Sequence, residues 1–359
     1  MQEFVSRKIF RKDDGRMRKL LNTLYVTSRD AYLSLDGENI VVLKGEDVCG
    51  RFPLHNFESI VTFGYTGASP ALMGYCARNN ISLTFLSNSG RFLARIIGEE
   101  NGNVLLRKKQ YRISDSEQES LIIAKNIILG KLYNSKWMLE RTARDHVLRV
   151  DVDKFTNVSK SLTSLMHDVK NADNLETLRG IEGTAASQYF SCFDDLILQQ
   201  KEDFFFVNRN RRPPLDNLNA LLSYTYTLLT HEIGAALQSV GLDPYVGFLH
   251  RDRPGRMSLA LDLVEELRSV YAERFVLTLI NRKMIAKTDF SKMENGAILL
   301  HDDGRRKLLT QWQSRKQEEI VHPFLNERIP WGLVPYVQAM LLAKYLRGDL
   351  DAYPPFMWK

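Results

Sequence analysis

Three stretches of the sequence carry polar residues where a plain hydrophobic core would not ask for them. In LRGIEGTAASQYF (Leu178–Phe190), Glu182 lies between Gly180 and Gly183. A glycine inside a helix costs about 1 kcal/mol relative to alanine, so the pattern suits a helix whose backbone something approaches closely. Its glutamate is either a solvated surface residue or an oxygen ligand. In GLDPYVGFLHRDRPGRMSLALDLVEELR (Gly241–Arg268), His250 ends an apolar run. Arg251, Arg253 and Arg256 follow in a loop turned by Pro254-Gly255, and Ser258 is the candidate N-cap of the next helix. On that helix Asp262 and Glu265 share a face, and their repulsion needs either a cation or a salt bridge from Arg268. His250 alone reads equally as a satisfied core histidine. In FFFVNRNRRPPLDNLNALLSYTYTLL (Phe204–Leu229), Arg209, Arg211 and Arg212 precede Pro213-Pro214, and Asp216 opens a helix that includes Asn219. Guanidinium forks suit phosphate oxygens, although a solvated loop before a helix has the same look.

The combination is more specific than its parts. Carboxylates from Glu182 and Glu265 with an imidazole from His250 describe a site for Mn²⁺ or Mg²⁺. Such a cation polarises a phosphodiester, activates an attacking hydroxyl or stabilises a leaving oxygen, and neighbouring arginines hold the phosphates. Other chemistries lose support. The sequence has no GxxxxGK[ST] phosphate loop, no GxGxxG and no GxSxG elbow. His231-Glu232 begins like a zinc-protease helix, but position 235 is Ala. No C-x2-C pair is present for a zinc ribbon or finger.

The elements that must position these residues fall into two regions. From Leu20 to Gly98 the runs TLYV (23–26), AYLSL (31–35), NIVVL (39–43), SLTFL (82–86) and RFLARIIG (91–98) favour strands. Asp36-Gly37 signals a hairpin, and Pro70 suits the first turn of a helix over 69–78. The charged passage 99–113 reads as a linker. Beyond it, apolar residues recur at three- and four-residue spacing over 114–135, 175–200, 215–242, 258–281 and 335–346. The expected fold is α+β: a small N-terminal β-rich domain (17–98), then a larger all-α catalytic domain (114–359).

Composition bounds the class. The 359 residues are 44% hydrophobic and 26% charged, which excludes a mainly disordered chain. No apolar run approaches the 18 or so residues of a membrane span, and the N-terminus has no secretory h-region. Three scattered cysteines (Cys49, Cys76, Cys192) form neither a disulfide framework nor a metal site. They read as reduced packing thiols of a cytoplasmic protein. A net charge of +6 leans only slightly towards an anionic partner. The runs Arg107-Lys108-Lys109 with Arg112, and Arg305-Arg306-Lys307 with Arg315-Lys316, either track a DNA backbone or form solvated faces.

The chain resembles the CRISPR-associated spacer-acquisition integrases, in details most like the type I-C branch. The resemblance is carried by the GIEG segment around Glu182, by RRPPLDNLNALLSY (211–224) and by GFLHRDRPGRMSLALDLVEELR (247–268). MRKLLNTLYVTSRDAYLSLDGENIVV (17–42) and RGDLDAYPPFMWK (347–359) share it. It implies metal ligation by Glu182, His250 and Glu265, with a further acidic position at Asp262; some members carry Asp where this chain has Glu265. It also implies a homodimer, with two dimers flanking a dimer of a small ferredoxin-like companion protein, and an iron–sulfur exonuclease companion. The substrates it implies are a double-stranded DNA prespacer and the CRISPR leader–repeat DNA, joined when prespacer 3′-hydroxyls attack phosphodiesters. Residues 1–16 lie outside the resemblance and read as a disordered extension, or else as a basic arm touching DNA. Two alternatives stand beside the integrase: a metal-dependent, structure-selective DNA nuclease, and a catalytically silent DNA-binding scaffold.

Overall fold

The computed structural model describes residues 23–26, 28, 30–57, 59–79, 81–86, 92–96 and 104–359. The 1–16 extension and the first part of the expected linker lie outside the described residues. The chain is α+β, with a β-rich N-terminal part followed by a helical part.

The N-terminal strands form two sheets. β2 (Ala31–Asp36), β3 (Asn39–Lys44) and β4 (Asp47–Pro53) make an antiparallel meander, with Gly37 in the left-handed region at the Asp36-Gly37 turn. β1 (Thr23–Val26), β5 (Ser59–Phe63), β6 (Ser82–Leu86) and β7 (Phe92–Ile96) make a mixed sheet in the order β1-β5-β6-β7. Helix α1 (Pro70–Arg78) begins with Pro70 just after Ser69, whose hydroxyl accepts from the Leu72 amide. Leu33, Ile40, Leu54, Ile60, Leu72, Cys76 and Leu83 close this core. Burial pushes the Cys76 thiol up to about 11, so it packs rather than reacts. Cys192 is buried too, but Cys49 is exposed on β4, against the packing role expected of it.

A second core fills the helical part. Helix α2 (Val104–Asp115) occupies most of the stretch that reads as a linker. Helix α3 (Glu117–Asp145) runs through the centre and packs against α4 (Val152–Asn171), α5 (Leu175–Ser191) and α7 (Ser258–Leu267). Between them come α6 (Asn217–Ser239), capped by Asp216 through the Asn219 amide, and the loop that carries His250. A π turn (Arg268–Glu273) joins α7 to α8 (Arg274–Asn281). Helices α9 (Asp302–Gln317) and α10 (Val334–Arg347) complete the bundle.

Four departures from the sequence reading have physical reasons. The helical part is not all-α: it includes hairpins β8–β9 (Phe290–Lys292, Ile298–Leu300) and β10–β11 (Glu319–Val321, Arg328–Pro330), whose Leu300, Ile320 and Ile329 join its core. Helix α4 is rich in Ser, Thr, Val and Asn, weak helix formers, and forms because Phe155, Leu162 and Val169 bury one stripe. Helix α9 is too polar for a periodic signal, yet Leu308, Leu309 and Trp312 anchor it. Ser258 is the first residue of α7 rather than its cap: Met257 holds the cap position, and the Ser258 hydroxyl donates to the Arg251 carbonyl.

Candidate active site

Asp262 organises the His250 loop. Its carboxylate is fully buried and accepts from the amides of Phe248 (2.7 Å), Leu249 (3.0 Å) and His250 (2.9 Å). The same carboxylate meets His250 Nδ1 at 2.7 Å. An ionised carboxylate is acceptor-only, so Nδ1 donates, and in the neutral ring the lone pair is then on Nε2, available for a ligand. Gly247 makes the tight approach possible, since a Cβ there would meet an Asp262 oxygen at 2.9 Å. Two further elements fix the loop. From α2, Gln110 donates to the carbonyls of Asp243 and Val246 at 2.8 Å each, and Ser114 donates to the Gly247 carbonyl at 2.8 Å. From α5, one turn before Glu182, Arg179 donates to the Leu249 carbonyl at 2.6 Å.

Glu182 and Glu265 come from different helices and meet on one ammonium. Lys131, on α3, pairs with Glu182 Oε1 and lies 2.6 Å from Glu265 Oε2. Arg268 flanks Glu265 more loosely, at 3.4 Å. Burial alone would raise the Glu265 carboxyl, but Lys131 and then Arg268 outweigh it and bring it down to about 2. For Lys131, burial works against the charge, while Glu265 and Glu182 together hold the ammonium above the ordinary lysine value. The Arg268 salt bridge expected at Glu265 is present, and Lys131 is the nearer positive charge. Behind Arg268, the buried Glu273 accepts from Tyr189 at 2.8 Å and Tyr226 at 2.5 Å and pairs with Arg268 at 3.3 Å. The π turn sets Arg268 and Glu273 on this buried side; widened turns of this kind recur at functional positions.

The donor set suits a hard divalent cation: two carboxylates, gathered by a cation of the protein's own, and an imidazole with a committed tautomer. As the side chains stand, no group of three or more His, Cys, Asp or Glu among the described residues is arranged to hold a metal ion. The structure therefore brings Glu182 and Glu265 together through Lys131, and links Asp262 to His250. Asp262, expected to be catalytic, has no exposed surface and all its contacts go to the His250 loop, so it positions the imidazole.

The arginines separate into two kinds. Arg209, expected to face DNA, is turned inward: it donates to Asn219 Oδ1 at 2.7 Å and Ser223 Oγ at 2.9 Å, and its guanidinium lies 5.4 Å from the Tyr226 ring centroid. Arg211, Arg212, Arg251 and Arg253 are exposed, and Arg256 is half-buried. The basic run on α9 is largely committed within the fold. Arg305 is buried against Asp302, Lys307 lies 2.7 Å from Asp289, Lys316 lies 2.9 Å from Glu232, and Arg315 pairs with Glu318. No described residue crowds Gly180 or Gly183, where an added Cβ would find open space. The close approach expected there is not made by any described residue of this chain.

Lys131 is the residue that spacing missed. Lys131 lies on the buried stripe Ala124–Ile127–Ile128–Lys131–Ser135–Met138 of α3, where helical period asks for an apolar side chain. That mismatch is the signal that marks it.

Comparison with known proteins bears on the same residues. The family described as CRISPR associated protein Cas1 matches residues 24–314. A CRISPR-associated endonuclease Cas1 of Chlorobaculum tepidum is 48% identical, covering 96% of this chain and 100% of its own length. One of Rhodospirillum rubrum is 50% identical with the same coverage. A fusion of exonuclease Cas4 with endonuclease Cas1 from Geobacter sulfurreducens is 35% identical over 93% of this chain and 60% of the fusion. Among solved structures, a casposase bound to integration product superposes with a TM-score of 0.80 at 24% identity, covering 94% of this chain and 95% of the other. A Cas6-RT-Cas1–Cas2 complex gives 0.77 at 23% identity, over 97% of this chain and 37% of the other. These two share its fold. Half-identical relatives along nearly the whole length, and a family match that spans the Glu182, His250, Asp262 and Glu265 positions, place the chain in the CRISPR-associated endonuclease family Cas1.

Proposed function

We propose that this chain is a metal-dependent DNA integrase of CRISPR spacer acquisition, and that Glu182, His250 and Glu265 hold its metal. The observation that carries the reading is the gathering of Glu182 and Glu265 around one positive charge, beside an imidazole whose tautomer Asp262 sets. Mn²⁺ or Mg²⁺ held by these donors would stabilise negative charge on the reacting phosphoryl oxygens. The protein's own part is to position and to neutralise. His250 offers Nε2, Asp262 orients the ring through Nδ1, and the exposed Arg211, Arg212, Arg251 and Arg253 hold flanking phosphates. In the reaction a prespacer 3′-oxygen forms a new bond to phosphorus at the leader–repeat boundary. The bond to the leaving 3′-oxygen breaks, and the proton lost by the attacking hydroxyl is balanced by one gained there. One phosphodiester replaces another, in keeping with a sequence that lacks a nucleotide-binding loop.

The assembly we propose is a homodimer, in the cytoplasm, joined to a small ferredoxin-like companion dimer. The Cas1–Cas2 complex among the structural neighbours supports the companion. The Cas4–Cas1 fusion supports an exonuclease companion; that it carries an iron–sulfur cluster is part of the proposal. No described helix is long and apolar enough to cross a membrane. The domain division at 17–98, 99–113 and 114–359 belongs to the same proposal, with α2 as a helical connector that also braces the His250 loop.

Strand transfer into a supercoiled plasmid carrying a cognate repeat, with companion protein and Mn²⁺, tests the reading. The parent protein joins labelled prespacer ends to the repeat, whereas Glu182→Ala and His250→Ala, still folded, lose joining by at least about 100-fold. Joining by both variants would sink the site assignment. Cutting without joining by the parent would instead favour the structure-selective nuclease, in which water replaces the 3′-hydroxyl.

A further inference from the structure

Lys131 touches both acidic residues of the centre, yet the proposed chemistry leaves it without a role. Its ammonium is nearly buried, with a side-chain exposure of 9%, and touches one oxygen of each acidic residue. The two carboxylates are unequal: Glu265 is 12% exposed, whereas Glu182 is 28% exposed on the open side of α5. A pair of carboxylates this close needs a positive charge between them whether or not a metal is present. In the arrangement described, that charge is the lysine, and the acidic and imidazole groups do not converge on a common point for a metal.

We infer that Lys131 is a tethered counter-cation that occupies the meeting point of the Glu182 and Glu265 carboxylates, and that a divalent cation and the Lys131 ammonium are alternative occupants of it. This rests on the metal-site reading above. Without metal, the lysine keeps two acidic helices, α5 and α7, from repelling each other and holds the ligands near their working positions. When a divalent cation enters, the carboxylate oxygens turn to it and the ammonium withdraws. Beside this point Lys131 also lines a small cavity of about 10 Å³ with Ser135, Tyr189, Arg268 and Glu273. The metal's apparent affinity is then lowered by whatever free energy the lysine contributes in its absence, because each occupant is measured against the other. Lys131 is on this account a positioning residue that sets metal affinity, not a metal ligand.

Mn²⁺ binding to the full-length protein, followed by the electron paramagnetic resonance of the free ion, reads this without any enzymatic assay. Lys131→Met is expected to bind Mn²⁺ at least about tenfold more tightly than the parent. Its melting temperature without metal is expected to lie below the parent's and to rise further than the parent's at saturating Mn²⁺. Equal or weaker Mn²⁺ binding by Lys131→Met overturns the inference. Should that variant not fold, the parent itself answers. The Lys131 ammonium resonance, assigned by its absence in Lys131→Arg, should shift or vanish on saturation with Mg²⁺, and an unchanged resonance overturns the inference. Glu182→Gln separates the two levels. Mn²⁺ binding that Glu182→Gln abolishes but Lys131→Met leaves unchanged sinks only the role of Lys131. A parent that binds no Mn²⁺ sinks the metal-site reading with it.

Discussion

At Asp262 a single buried carboxylate answers three backbone amides and one imidazole nitrogen. Asparagine is nearly the same size but has one acceptor oxygen, and its amide group would face donors with a donor. Asp262→Asn should therefore destabilise the fold by about 2 kcal/mol, seen as a lower urea midpoint. It should also slow strand joining, because His250 is no longer held with Nε2 free. An unchanged midpoint would show that the loop finds other acceptors. Much of this centre was legible at the residue level, because Glu182, His250, Asp262 and Glu265 are polar types set into apolar or glycine-rich runs. Lys131 was not, since its partners lie on helices far along the chain and only folding brings them near. Arg209 misled for a related reason: Asn219, Ser223 and Tyr226 recur along one face of α6, and that face draws the guanidinium inward.

Elements supply what single residues cannot. The helix carrying Glu265 is clamped from behind by the segment that follows α10. Glu266 accepts from Tyr353 at 2.5 Å, from Gln338 at 3.0 Å and from the Phe356 amide at 3.2 Å. Asn134, one turn beyond Lys131 on α3, donates to the carbonyls of Glu266 (2.7 Å) and Phe356 (2.6 Å). Gly130 lets the three strands of chain meet, as a Cβ there would lie 3.0 Å from Pro355 and 3.2 Å from Glu266. Removing residues 353–359 strips Glu266 and Asn134 of partners and opens the Tyr353 and Phe356 cavities. Calorimetry should record a melting temperature lower by about 5–10 °C. A shift under a degree would mean that the clamp contributes nothing. The strong apolar periods of α3, α6, α7 and α10 announced those helices, whereas α4 and α9 are helical chiefly because neighbouring elements bury their few apolar residues.

Across the whole molecule the distribution of charge matters more than its sum. The net +6 is modest, and many basic side chains of α9 are already paired with acidic neighbours. The exposed arginines of the loops at 211–212 and 251–253 flank the centre in sequence on either side of α6. Replacing all four with Gln should weaken DNA binding across sequences alike. It should also flatten the plot of log affinity against log salt by about 0.9 for each phosphate no longer neutralised. An unaltered slope would return these arginines to the role of solubilising surface. The clamp on Glu266 also has a consequence in time. The ribosome makes Glu182, His250 and Glu265 well before it makes Tyr353 and Phe356. A chain still being synthesised thus holds every acidic and imidazole group of the centre without the brace that steadies them. A nascent chain that has reached Arg268 but not Phe356 lacks these partners of Glu266 and Asn134, so the helix that carries Glu265 gains its rear support only after the 353–356 segment has been made.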